Sequence, residues 1–165
     1  MRTRTTKRAF IGAVACAAAL TLAAGLASAE EITREQYKAS VEPICKANSE
    51  ANEHILKGVQ AKVKAGKLKP AGRQFTRAAT ALKRTLGQIR AKPEPPADEE
   101  KLGEWQKRIS GEANLLQRVG KALIEEKRHR AEVLSVRLVS DARLTNALVV
   151  SFGFNHCRFE PSKYT

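Results

Sequence analysis

Two cysteines constrain this chain more than any other feature. Cys45 stands early, inside the stretch QYKASVEPICKANSEANEHIL of residues 36–56, and Cys157 nearly ends the sequence. The third cysteine, Cys16, falls in a run read below as an export leader, which leaves an even pair in the remainder. An even pair in a secreted chain is usually a disulfide. Joined, the two would close a loop of over 100 residues, for which chain entropy supplies about 4 to 5 kcal/mol. That is a large share of a typical domain's stability.

The leader reading rests on flanks and composition. MRTRTTKR carries four basic residues and no acid, and the apolar run AFIGAVACAAALTLAAGLASA separates it from Glu30. Ala27 and Ala29 form an A-x-A-like site, so residues 1–29 are expected to be a signal peptide cleaved before Glu30. Two rivals stay open. Ala13-Val14-Ala15-Cys16 is a degenerate lipoprotein box that would leave a diacylated Cys16, and the run is about long enough to be retained as an anchor. Residues 30–165 then make a single domain, exported to the extracellular space or the cell envelope. The whole chain has net charge +13; without residues 1–29, which hold four basic and no acidic residues, the excess is still +9.

Hydrophobic spacing predicts an all-α fold, a disulfide-stapled bundle of about four long helices. Thr33 with Gln36 is a capping-box pattern, so a helix begins near Arg34 and its apolar positions run from Tyr37 through Val41, Cys45, Ile55 and Val59 to Val63. Pro43 either kinks that helix or opens a new one. Gly66 is a stop, and a second helix over residues 71–91 carries the stripe Phe75, Ala78, Leu82, Leu86 and Ile89. KPEPP at residues 92–96 ends it, and Asp98 is an acceptable N-cap for a third helix of about 30 residues. Leu102, Ile109, Leu116 and Leu123 recur there every seven residues, with Trp105 on the same face as core.

No glycine or proline lies between Gly120 and Gly153, yet one helix across that span would be too long for a domain of this size. The polar run Glu125 to Arg130 is taken as the turn, with a last helix from about Ala131 to Phe152 striped by Leu134, Leu138, Ala142, Leu148, Val149 and Phe152. The alternation in VLSVRLV and the β-favouring ALVVSFGF support an alternative, a C-terminal β-hairpin. In the helical reading Gly153 is left-handed and Phe154 folds back on Val149 or Leu148. The tail then turns along the first helix, within reach of Cys45.

Ile44-Cys45 followed by Ala47-Asn48, the Pro-rich turn ahead of Trp105, and the closing Phe152-Gly153-Phe154 before Cys157 resemble the small secreted helical proteins of high-GC actinobacteria. The resemblance implies export, helices and a Cys45–Cys157 bridge. It implies no activity and carries over no functional residue.

The positive charge is concentrated. From His54 to Pro93 there is no acidic residue, and Lys57, Lys62, Lys64, Lys67, Lys69, Arg73, Arg77 and Arg84 are the candidate contacts for an anionic surface. Such a field attracts polyanions and anionic lipid, more weakly as salt rises. Anionic cell-wall polymer or membrane headgroups are the expected partners; a protein partner is not specified. Phe75 is the one aromatic residue in the run and belongs to the core stripe, so no dedicated nucleic-acid platform is expected. A solvated helical face is the plain counter-reading.

Candidates for catalysis are few. Glu126-Lys127-Arg128-His129 matches half of a di-iron pattern but lacks a second copy. His156 beside Cys157 needs a reduced thiol to act, and His54 reads as a helix-surface residue. CxxCH, P-loop, G-x-S-x-G and HExxH motifs are all missing. The expectation is a non-catalytic, envelope-associated protein without cofactor or metal. The alternative is a secreted module that binds a specific protein or a small ligand.

Overall fold

The computed structural model describes residues 31–165. The readings of a leader, a retained anchor and a lipidated Cys16 all fall on residues outside that range. Among the described residues five helices follow in order: α1 (Arg34–Leu56), the short α2 (Val59–Lys64), α3 (Leu68–Arg90), α4 (Glu99–Ile124) and α5 (Arg128–Ser151). Single 3-10 turns lie at Pro96–Asp98 and Pro161–Lys163. The four long helices pack as an up-down-up-down bundle, and Cys45 and Cys157 are bonded with their Cα atoms 4.8 Å apart.

Helix α1 opens on the expected capping box: the Gln36 N–H donates to Thr33 Oγ1 at 3.2 Å and the Thr33 N–H to Gln36 Oε1 at 2.8 Å. Pro43 lies on the exposed side of one continuous helix, which decides between its two readings. The helix does not reach Val63. It ends at Leu56, because Gly58 takes a left-handed conformation, φ 70°. Buried Gln74 then satisfies carbonyls left open at that end, donating from Nε2 to Ile55 at 2.7 Å and to Lys57 at 3.1 Å. Gly66, φ 74°, stops α2 as expected, and α3 begins three residues earlier than residue 71, with Pro70 in its first turn.

The closest helix pair is α3 with α4, which cross at two glycines. A Cβ on Gly72 would stand 2.5 Å from the Gly120 carbonyl oxygen, and one on Gly120 would stand 2.7 Å from the Gly72 carbonyl oxygen. Backbones approach this closely only where side chains are absent.

The turn after α4 is tighter than the run from Glu125 to Arg130. Glu126 adopts φ 59°, and the Lys127 N–H returns to the Ala122 carbonyl at 2.8 Å, so α5 starts at Arg128. A glutamate thus does what glycine usually does at a helix end. The described residues contain no strand, which overturns the β-hairpin alternative. The alternation that suggested it arises because Val133, Val136 and Val150 of α5 face solvent. Its inner face is the expected one: Leu134, Leu138, Ala142 and Val149 are buried, joined by Phe152, while Leu148 is half-buried.

Gly153, φ 68°, reverses the chain as read from the sequence. Phe154 goes deeper than a fold-back onto the last helical turn: its ring stacks on Trp105 at 5.3 Å and meets Tyr37 edge-on at 6.3 Å. All three rings are essentially fully buried, so the tail supplies part of the core. Beyond Phe154 the tail runs along α1, with the Asn155 and His156 N–H groups donating to the Glu42 carboxylate. Asn146 of α5 grips Phe159 on both sides, donating to its carbonyl at 2.9 Å and accepting its N–H at 3.0 Å.

Candidate functional site

The acid-free segment folds into the end of α1, α2 and α3. Lys57, Lys64, Lys67, Lys69, Arg73, Arg77 and Arg84 are exposed, and Lys62 is half-buried. At 100° per residue, Lys69, Arg73, Arg77 and Arg84 span about 80° of the α3 surface, opposite the Phe75, Leu82 and Leu86 stripe. Half of the predicted contacts, Lys69, Arg73, Arg77 and Arg84, thus share one face of α3, while Lys57, Lys62, Lys64 and Lys67 lie on the end of α1, on α2 and on the turn that follows it. Two are partly committed elsewhere: Lys62 Nζ donates to Gln74 Oε1 at 2.8 Å, and Lys69 pairs with Glu126 at 3.2 Å. The first is structural, since it holds the amide that closes α1.

On the Phe75 side of α3 lies a largely apolar groove of about 650 Å³ between α2, α4 and α5. Val63, Phe75, Val136 and Val139 line it, and Lys64, Arg128 and Arg143 rim it against the single acid Glu132. The Arg128 guanidinium also donates to the Val63 carbonyl at 3.1 Å, tying α5 to α2.

A second cavity, of about 280 Å³, is polar and lies between the bundle and the tail. Its wall takes Asn48 and Asn52 from α1, Thr85 from α3, Trp105 and Glu112 from α4, Thr145 from α5 and the bonded cysteines. Asn48 Oδ1 accepts from Thr85 Oγ1 at 3.1 Å and from Asn52 Nδ2 at 3.3 Å. Those bonds leave Asn52 Oδ1, Glu112 Oε1 and Trp105 Nε1 buried with no protein partner. Burial pushes the Glu112 carboxyl up to about 7; the Thr145 hydroxyl and Arg108 oppose the shift and Asp141 adds to it.

Sequence reading missed this chamber, although the signal was present. Glu112 lies on the line Trp105, Ile109, Leu116 at spacings of four, three and four, so a carboxylate interrupts the strongest apolar stripe of the chain. The residues singled out for chemistry instead are dispersed. His129 has a side chain 92% exposed, with Glu132 at 3.9 Å, and Glu126 pairs with Lys69. His54 and His156 are exposed, and the Cys157 sulfur is in the disulfide. Among the described residues no three His, Cys, Asp or Glu side chains converge on a metal position, and no helix is long and apolar enough to cross a membrane. Comparison with protein-family models, with curated proteins and with solved structures finds no match to this chain.

Proposed function

We propose that the protein is a non-catalytic, envelope-associated binding protein whose basic α2–α3 face contacts anionic polymer or lipid headgroups after export. The observation that carries this reading is the exposure of Lys64, Lys67, Arg73 and Arg77 in a segment without acids, with Arg73 and Arg77 on one face of α3. The leader-like residues 1–29, the disulfide and the resemblance to small secreted helical proteins of high-GC actinobacteria support the export part. Each basic residue near an anionic leaflet contributes about 1 kcal/mol. Changing Lys64, Lys67, Arg73 and Arg77 together to Gln therefore weakens binding to phosphatidylglycerol vesicles by up to about 4 kcal/mol, roughly a thousandfold. Lys62 is left in place because its bond to Gln74 is structural. Cosedimentation that is indifferent to salt, or unchanged in the fourfold variant, rejects this reading.

A second reading, a module for a specific ligand, is favoured by the apolar groove. Its occupant would be a single acyl chain whose anionic head sits among Lys64, Arg128 and Arg143. Apolar burial survives high salt, so the distinguishing result is a fatty acid that stays bound at about 1 M salt, where the Debye length is about 3 Å.

A further inference from the structure

The polar chamber carries an inference independent of the basic face. Three of the residues that line it, Asn52, Glu112 and Trp105, each carry a buried polar atom without a partner, Oδ1, Oε1 and Nε1, and are 3%, 1% and 0% exposed. A buried polar group left unpaired costs about 1–3 kcal/mol. Two of the atoms need a donor and one needs an acceptor. The volume of about 280 Å³ far exceeds one water's share, about 30 Å³, and lies just below the small-ligand range, which begins near 300 Å³.

The sign of the missing partner follows from the charges around the chamber. At its depth Glu112 is the ionisable side chain, with no basic group on the buried wall. Facing it are Glu53 of α1, Arg108 of α4 and Asp141 of α5, while α3 contributes Leu82, Thr85 and Ile89 and no charge. The tail adds His156, Arg158, Glu160 and Lys163, all exposed at the rim, and Lys163 is already paired with Glu160 at 2.6 Å. Arg108 forms no ion pair with Glu112, being bonded to Glu104, so the buried carboxylate is neutralised by a proton or, once ionised, by a cation brought from outside.

We propose that this chamber binds a small amine, its ammonium donating to Glu112 and Asn52 and a neighbouring hydroxyl accepting from the Trp105 indole N–H, in a ligand no larger than about a monosaccharide. The tail forms the rim, and the Cys45–Cys157 bond is part of the wall, so the bridge holds the site closed as well as stapling the fold.

Trp105 is the one tryptophan of the chain and stands in the chamber wall, so its indole N–H resonance reports occupancy directly. The probes are ethanolamine and glucosamine, with ethylene glycol and glucose as neutral partners of matched size, titrated at about pH 8, where the carboxyl is ionised. The expected result is a saturable shift with an amine and not with its neutral partner. Affinity should fall about tenfold per pH unit below about 7, as the proton competes. Glu112→Gln should weaken binding at least tenfold. Asn52→Ala is a second variant that leaves the charge intact and should also weaken it. No shift with either amine, an equal shift with the neutral partners, or full binding by both variants overturns the proposal and leaves a chamber that holds water only. None of these outcomes depends on vesicle binding, so the two readings fail separately.

Discussion

Arg34 and Asp98, 64 residues apart, are joined by a two-pronged ion pair, Nε to Oδ2 at 2.7 Å and Nη2 to Oδ1 at 2.5 Å. Asp98 had the position of an N-cap, yet its side chain makes no capping bond to α4. It reaches across instead to the first residue of α1, whose guanidinium also lies 5.6 Å from the Phe152 ring centroid. One arginine thereby gathers the start of α1, the start of α4 and the end of α5 at one end of the bundle. The carboxylate is 4% exposed and the guanidinium half-exposed.

Hydrogen bonding from Arg34 holds the Asp98 carboxyl below its ordinary 3.8, with burial opposing it. A carboxyl depressed in the folded state contributes stability above its unfolded value and loses it as pH falls through the folded one. Urea midpoints should therefore drop as pH is lowered below about 4. Asp98→Asn should lower the midpoint at neutral pH and flatten this acid limb; an unchanged limb would mean that other carboxylates set it.

Glu112 has the opposite sign. Its folded value of about 7 against an ordinary 4.5 means that the folded state keeps a proton the unfolded state has lost. Stability from this group is full below about 4.5 and declines as pH rises to about 7, a loss of about 3 kcal/mol. Glu112→Gln should erase that decline and be more stable than the native chain at about pH 8. Denaturant unfolding across pH 5 to 8, about the span of the shift, checks it through the difference between the two curves.

Gly72 and Gly120 should tolerate no side chain. Alanine at either position favours the helix by about 1 kcal/mol but drives a methyl into the facing backbone carbonyl. Overpacking of that kind costs about 1–3 kcal/mol or more, and the helices must part to relieve it. A Cβ on Gly111 meets nothing within 4 Å, so Gly111→Ala should stabilise by about 0.5–1 kcal/mol. Thermal melts of the three variants should separate in sign.

Replacing Cys45 and Cys157 together by serine opens a bridge with a sequence separation of 112 residues. Chain entropy puts the loss at about 5 kcal/mol. The tail should loosen first, since beyond the bridge it is held by Glu42, Asn146 and a contact from Gln60 to Thr165 at 3.2 Å. Hydrogen exchange at the Phe159 amide, bonded to Asn146 Oδ1, should accelerate in the double variant before the amides of α4 do.

Local pattern was enough for most of the architecture. The capping box at Thr33, the stops at Gly66 and Gly153 and the heptad line from Leu102 to Leu123 are each legible because neighbours in sequence decide them, while the partnership of Cys45 with Cys157 was legible from the even count alone. Where local rules were silent the reading slipped. Glu126 takes a conformation usually left to glycine, and α1 stops at Gly58 with its last carbonyls satisfied by Gln74, which is far along the chain. The basic face was legible as composition, but only packing tied Lys62 to Gln74 and Lys69 to Glu126. Glu112 could have been placed inside from its position on the α4 stripe, but the chamber around it, the Gly72–Gly120 crossing and the Arg34–Asp98 pair are products of tertiary structure alone. Each depends on which residues distant in sequence come within a few ångströms, and the periodicity of one helix specifies its inward face without naming what that face will meet.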